Sequence, residues 1–290
     1  MQQWGAERIE ELAALVTAAA PDEDLTADEL LTACYDQPGV VLGPADGHHT
    51  AAVGVGRDAD GTLVASLRLV VVRTDRRGTG LGAALLGGAE AWAAERGAER
   101  IELGGLLPFP LWPGVEPDSA LVHLAAARGY TDRGALRSFA VPSSFRAVPP
   151  DDVIVRRAVR DDDVTAVTLA VASAWPRLSD EVARALDHGT CHAAFIAVPN
   201  DPDGEPTEVV GVGCHSVTRA TWVGPLVVRA DRRRSGIGHA LLGQICRDLM
   251  IADFAVAEVP GITTEEAQAF LIAAGAIRRR DHRTLSKPLT

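Results

Sequence analysis

Aromatic residues are scarce in this chain, at 4% of 290 positions, so its cores must rest on leucine, valine and alanine. Lysine is nearly absent, and a formal net charge of −11 excludes a general nucleic-acid binder, which would carry a basic footprint. No apolar run approaches the roughly 18 residues that a membrane-spanning helix needs. Four cysteines (Cys34, Cys191, Cys214, Cys246) stand far apart with no Cys-x-x-Cys pair. That spacing excludes the paired-cysteine metal and redox motifs and reads as reduced, buried small hydrophobes. The stretch Met1 to Arg8 lacks a cationic, apolar signal segment, so the expected location is the cytoplasm. Asp161-Asp-Asp163 opens a predicted helix and reads as capping and dipole chemistry; no metal is expected.

What the chain does contain is a repeat. Arg73-Thr-Asp-Arg-Arg77-Gly-Thr-Gly80-Leu-Gly82-Ala-Ala-Leu-Leu-Gly87 returns as Arg229-Ala-Asp-Arg-Arg233-Arg-Ser-Gly236-Ile-Gly238-His-Ala-Leu-Leu-Gly243, identical at ten of fifteen positions. A repeat offset near half the chain length predicts two domains, 1–147 and 148–290. The Pro- and Ser-rich stretch 141–152 reads as the linker.

The pattern around the repeat is the same in both halves. Helices are predicted over 6–19 and 25–34, the second opened by the Thr26-x-x-Glu29 capping pair. Strands follow at 39–42, 51–55 and 63–72, with a turn at Asp58 to Gly61. After the glycine turn come a helix, a strand at 100–107, a helix at 119–128 and a strand at 135–141. The second half reads as a strand at 153–157, helices at 161–173 and 179–187, and a hairpin of 191–198 with 209–217 across a turn at 200–205. A strand at 221–229, the second turn and its helix, a strand at 254–259, a helix at 264–274 and a strand at 280–286 complete it. The fold class is therefore α/β, a mixed sheet flanked by helices, written twice.

A strand, an Arg- and Gly-rich turn and a helix start make an anion cradle. Glycines let backbone approach a ligand, and free amides at the helix start, Gly78 to Ala83 and Arg234 to His239, favour negative charge. Arg77 and Arg233 add fixed positive charge, and a diphosphate is the expected guest. The first copy also fits a dinucleotide turn, Gly78-x-Gly80-x-x-Ala83 with Glu102 downstream, but Arg234 and Leu241 break that pattern in the second copy. No Gly-Lys-[Ser/Thr] follows, so a Walker loop is excluded.

The shared remainder, Arg77-Gly-Thr-Gly80-Leu-Gly82 and Arg233-Arg-Ser-Gly236-Ile-Gly238, resembles the [Gln/Arg]-x-x-Gly-x-[Gly/Ala] acyl-CoA loop of the GNAT superfamily. Val70-Val-Val72 and Leu226-Val-Val228 resemble its splayed fourth strand. The endings Leu124 to Tyr130 and Phe270 to Ala276 resemble its fourth helix and the strand after it. Leu111 to Val115 and Trp222 to Pro225 are similar to tandem bacterial acetyltransferases. The usual Ile-Arg-x-Ala first strand is absent from residues 1–50.

The resemblance implies acetyl-CoA bound at Val70, Val71, Val72, Arg77, Gly78, Thr79, Gly80, Leu81, Gly82 and Ala83. In the second half it implies Leu226, Val227, Val228, Arg233, Arg234, Ser235, Gly236, Ile237, Gly238 and His239. It further implies direct transfer to a primary amine, with strand amides polarising the thioester carbonyl and a carboxylate taking the proton. Glu102 and Glu258, on the strands after the cradle helices, are the candidate bases. The tyrosine that commonly protonates the departing thiolate is missing: Ala125 and Leu271 stand at its place. His123, His239 and the Cys214-His215 pair are weaker candidates for any role. The acceptor is expected to be a small-molecule or peptide amine, and the acidic surface favours a cation such as a polyamine, an aminoglycoside-like compound or a lysine-bearing peptide. Missing tyrosines leave a second possibility open, an acyl-CoA-binding sensor without catalysis.

Overall fold

The computed structural model describes residues 1–35, 39–58, 60–104, 110–197 and 208–289. In chain order the first elements are β1 (Gln2–Trp4), α1 (Ile9–Ala19), α2 (Ala27–Tyr35), β2 (Gly39–Gly43), β3 (His49–Arg57), β4 (Leu63–Val72), α3 (Leu81–Glu95), β5 (Arg100–Leu103), α4 (Ala120–Ala127) and β6 (Thr131–Pro142). They are followed by β7 (Val153–Arg157), α5 (Asp161–Ala174), α6 (Ser179–Asp187), β8 (Cys191–Ile196), β9 (Val209–His215) and β10 (Val223–Val228). Last come α7 (Ile237–Ile251), β11 (Val256–Ile262), α8 (Glu265–Ala273) and β12 (Ile277–Pro288). The turn expected at 200–205 and the end of the strand expected at 100–107 lie outside the described residues. No helix among the described residues is long and apolar enough to cross a membrane.

The chain forms two compact units, Met1–Leu136 with Asp281–Thr290, and Arg137–Arg280. This differs from the expected division at 147/148. The Pro- and Ser-rich stretch is not a free linker: Phe145 packs against the core of unit 2, and Ser143 donates from its amide and hydroxyl to the Ala255 carbonyl, both at 3.0 Å. The last strand from Asp281 onward belongs to unit 1, where Leu285 lies opposite Leu103 and joins the apolar core.

In unit 1, β1 to β4 form an antiparallel meander, β5 runs parallel to β4, and the end of β12 lies antiparallel to β5. The first strand missed in the sequence is β1, three residues long, its Trp4 buried and its indole donating to the Pro44 carbonyl. The predicted capping pair forms: Glu29 accepts from the Thr26 amide at 3.0 Å, and Thr26 Oγ1 from the Glu29 amide at 3.2 Å. Helix α3 covers one face of the sheet through Leu85, Leu86, Ala89 and Trp92, and α1 and α2 cover the other through Leu12, Val16 and Leu30.

One irregularity in β4 positions the site. Leu67 lies opposite Val53 and Leu69 opposite Ala52, so Arg68 is the extra residue of a bulge. A bulge reverses the alternation of a strand. Ala65 and Leu67 therefore pack with α3, whereas Leu69 and Val71 pack with α1 and α2. Pairing of β4 with β5 ends at Leu67 and Leu103, and the rest of β4 runs on without β5 beside it.

In unit 2, β7 to β10 form an antiparallel sheet in the order β10-β9-β8-β7, covered by α7. β11 pairs antiparallel with the second half of β6. β10 and β11 meet through a parallel bridge between Trp222 and Glu258, so the two strands splay from the outset.

Candidate active site

The cleft of unit 1 opens where β4 leaves β5. Its volume is about 630 Å3, and its walls include Val70 to Val72 of β4, Gly78, Gly80, Gly82 and Ala83 of the glycine turn, and Leu103 and Gly104 at the end of β5. Trp112, Glu116, Ser119, Arg68, Glu23 and His282 line it as well.

The turn's shape follows from its residues. Gly78 and Gly80 have φ of 76° and 86°, a region closed to most side chains. Thr79 Oγ1 donates to the Arg76 carbonyl at 2.6 Å and braces the bend. Ala84 donates to the Gly80 carbonyl at 3.1 Å, so the amides of Leu81, Gly82 and Ala83 precede the first bond of α3. Free amides at a helix start, with the helix dipole behind them, suit a diphosphate. Arg77 has a further task that its charge did not suggest. Its Nε donates to the Val72 carbonyl at 3.2 Å and its terminal nitrogen to the Ala19 carbonyl at 3.1 Å.

The second turn repeats this geometry residue for residue. Arg233 Nε donates to the Val228 carbonyl at 3.3 Å, Ser235 Oγ to the Arg232 carbonyl at 2.6 Å, and Ala240 to the Gly236 carbonyl at 3.0 Å. Gly236 has φ of 93°, and Arg234 takes φ of 65° where the first copy has Gly78. Arg234 pairs with Glu266 at 3.2 Å on the surface. His239 is engaged with its neighbours: its ring stacks on Phe270 at 4.4 Å, and its Nε2 donates to the Phe270 carbonyl at 2.9 Å. The Phe270 ring also lies 3.1 Å from where a Cβ on Gly238 would stand. Leu226, Val227 and Val228 form the end of β10, and Ile237 is buried at the start of α7.

Glu102, the base expected in the first half, is not among the residues that line the cleft of unit 1. Glu102 is bound by Arg100 Nε at 2.8 Å, and Arg100 also pairs with Asp58 at 2.7 Å. The pleat explains it. Ile101 and Leu103 are buried on the α3 side, so the residue between them faces the other way. Glu258 lies in unit 2, where its Oε2 accepts from Trp222 Nε1 at 3.2 Å. The carboxylates that do line the cleft are Glu23 and Glu116. Sequence periodicity could not find them, because Glu23 ends a single 3-10 turn after α1 and Glu116 lies in the irregular stretch before α4.

Other candidates are also placed. His123 is exposed on α4. Cys214 is fully buried opposite Cys191 on β8, and the hydrogen bond its thiol gives to Cys191, then burial, holds it well above the ordinary range; such a thiol is a poor nucleophile. Ala125, at the tyrosine's place, is fully buried in the core of unit 1, and Leu271 is buried in unit 2. Tyr130 is buried in the core and stands outside the cleft wall, its phenol pushed up by burial.

Residues 6–108 match the family model of the acetyltransferase (GNAT) family. No curated protein matches the sequence. Among solved structures, the chain superposes on a GCN5-related N-acetyltransferase from Sphaerobacter thermophilus with a TM-score of 0.68 at 20% identity, covering 99% of this chain and 95% of that one. A tandem GNAT protein from the clavulanic acid biosynthesis pathway gives 0.69 at 15% identity, over 99% and 98% of the two chains. A glucosamine N-acetyltransferase region of a fungal multi-domain beta-N-acetylglucosaminidase gives 0.75 at 15% identity. The present chain is 99% covered in that match but spans only 38% of the fungal protein. At these identities the structures establish the fold, that of two GNAT-like units in tandem. Residues 6–108, within the first unit, thus carry the sequence signature of the acetyltransferase (GNAT) family, and the chain as a whole has the fold of these structures.

Proposed function

We propose that the chain transfers an acetyl group from acetyl-CoA to a primary amine, and that the cleft of unit 1 is the working site. The observation that carries this reading is a single one. The same cleft is walled by the anion-cradling turn, Gly78 to Ala83, and by the unpaired run of β4, Val70 to Val72. A diphosphate seated on the turn directs the pantetheine arm and thioester along β4. Backbone amides there that face away from β3 have no β5 partner and donate to the thioester oxygen as it gains charge.

The amine nitrogen attacks the carbonyl carbon, the C–N bond forms and the C–S bond breaks. The proton released from nitrogen passes to a cleft carboxylate, Glu23 or Glu116, and the thiolate leaves. A thiol of pKa about 8.5 leaves without a dedicated acid, which accommodates alanine at position 125. The carboxylates at the acceptor's end of the cleft, added to the net charge, favour a cationic acceptor.

The test is release of free CoA thiol with acetyl-CoA and a panel of polyamines, aminoglycosides, amino sugars and lysine peptides. At least one acceptor is expected to support turnover in the wild type and in Gly236→Val, and none in Gly80→Val, with Glu23→Gln and Glu116→Gln separating the two bases. Tight CoA binding with no thiol release from any acceptor would instead favour a sensor.

A further inference from the structure

Unit 2 holds a buried polar cluster that acyl transfer leaves unused. His192 on β8 and His215 at the end of β9 share a face of the sheet, since His192 lies opposite Gly213, two residues before His215. Helix α7 lies over that face, Leu241 and Ile245 against Gly213, and Asp248 follows one turn later. The imidazoles are 3% and 6% exposed. Asp248 Oδ2 stands 2.7 Å from His192 Nε2 and 3.3 Å from His215 Nε2. One ligand atom from each of the three residues lies within 4.8 Å of the others.

Proton accounting separates this cluster from an ordinary hydrogen-bond network. Ser216 Oγ has one hydrogen, which it donates to the Ala220 carbonyl. The same oxygen is 3.0 Å from His215 Nδ1, so Nδ1 is the donor in that contact. With its hydrogen on Nδ1, a neutral His215 aims the Nε2 lone pair at a carboxylate oxygen. A buried acceptor and a partly buried one then face each other, an arrangement that costs free energy unless a cation joins them. An imidazole that ligates a metal is held in just this manner, its other nitrogen donating to an oxygen.

We propose that His192 Nε2, His215 Nε2 and Asp248 Oδ2 form a three-ligand site for a divalent ion of the zinc class, with a water completing a tetrahedron. Two imidazoles and one carboxylate are a ligand set that suits zinc. Metal–ligand bonds of about 2.0–2.1 Å put tetrahedral ligands roughly 3.4 Å apart; the 3.3 Å between Asp248 Oδ2 and His215 Nε2 already fits, and the 2.7 Å to His192 Nε2 must open. Arg157 reaches the same Oδ2 at 2.6 Å from a half-exposed side chain. It occupies the oxygen's other lone pair, and its charge opposes the ion's. Arg157 is therefore the group that limits affinity.

The test uses the untagged full-length chain, stripped with a chelator and titrated with Zn2+ against a chromophoric competitor, then with Co2+. One ion per chain is expected, with the visible absorption of tetrahedral cobalt(II). His192→Ala and His215→Ala should each weaken binding at least tenfold, and Ser216→Ala should weaken it less. Arg157→Ala should tighten it severalfold, a result that no ion-pair network without metal predicts. Absence of zinc uptake by the wild type at low-micromolar free metal would overturn the site. Undiminished uptake in both histidine variants, with circular dichroism showing them folded, would overturn it equally.

Discussion

Trp112 donates from its indole Nε1 to Glu23 Oε2 across 3.0 Å, and both residues line the cleft of unit 1. The bond links the irregular segment before α4 to the short 3-10 turn after α1, and both carry residues that line the opening. A hydrogen bond to a charged group contributes about 1.5–3 kcal/mol, part of which water replaces at a half-buried site. Trp112→Phe keeps most of the ring and deletes the donor. The KM for the amine is expected to rise up to about tenfold, with the Kd for CoA unchanged; steady-state kinetics beside calorimetry separates the two. A change confined to CoA affinity would remove Glu23 and Trp112 from the acceptor's end of the cleft.

Arg77 spans two carbonyls, those of Val72 and Ala19, and so fixes the turn relative to β4 and α1. A planar fork can reach both at once, while a lysine ammonium is a point charge on a flexible stem. Arg77→Lys is therefore expected to lose CoA affinity nearly as fully as Arg77→Ala, by about tenfold, although it preserves the charge. Full activity in the lysine variant would show that positive charge alone matters at this position.

How far the sequence foretold this molecule depended on the range of the interaction concerned. β4 over Leu63–Val72 and α6 over Ser179–Asp187 were legible to the residue, because alternation and helical period are local. The Thr26–Glu29 capping pair and the glycine turns were legible for the same reason. What failed was pairing between distant segments. Nothing near β12 says that Leu285 will lie beside Leu103, and without that the division between units cannot be found. Arg68 looks like one more strand residue until β3 supplies the register that makes it a bulge. The phase of a four-residue strand decided Glu102, and two readings fit so short a pattern. His192, His215 and Asp248 have no motif spacing at all; strand pairing and the packing of α7 bring them together.

Glu90 supplies a pH dependence. It accepts from Arg128 at 2.8 Å and from Lys287, the only lysine of the chain, at 2.8 Å. Burial, the largest single influence, pushes its carboxyl up, but the bonds and charges of Arg128 and Lys287 together outweigh it and hold the group below its ordinary value of 4.5. A carboxyl depressed by folding contributes stability that is complete above its unfolded pKa and is lost as pH falls through the folded one. The urea midpoint of the wild type should therefore decline as the pH drops below about 4.5. Glu90→Gln should be less stable near neutrality and show a shallower decline. An identical slope in the two proteins would assign acid unfolding to other carboxylates.

Ala125 poses the last test, because it stands where the resemblance puts an acid and is 0% exposed in the core of unit 1. Restoring a tyrosine there does not restore a proton donor to the cleft. This position is buried in the apolar core of unit 1 and does not line the cleft, and a filled core has no room for a phenol. Overpacking of this kind costs about 1–3 kcal/mol. Ala125→Tyr is expected to lower the melting temperature by several degrees and to leave thiol release from acetyl-CoA unchanged or reduced. Faster release at unaltered stability would mean that α4 can turn this face toward the thioester, and that the cleft accommodates the missing acid after all.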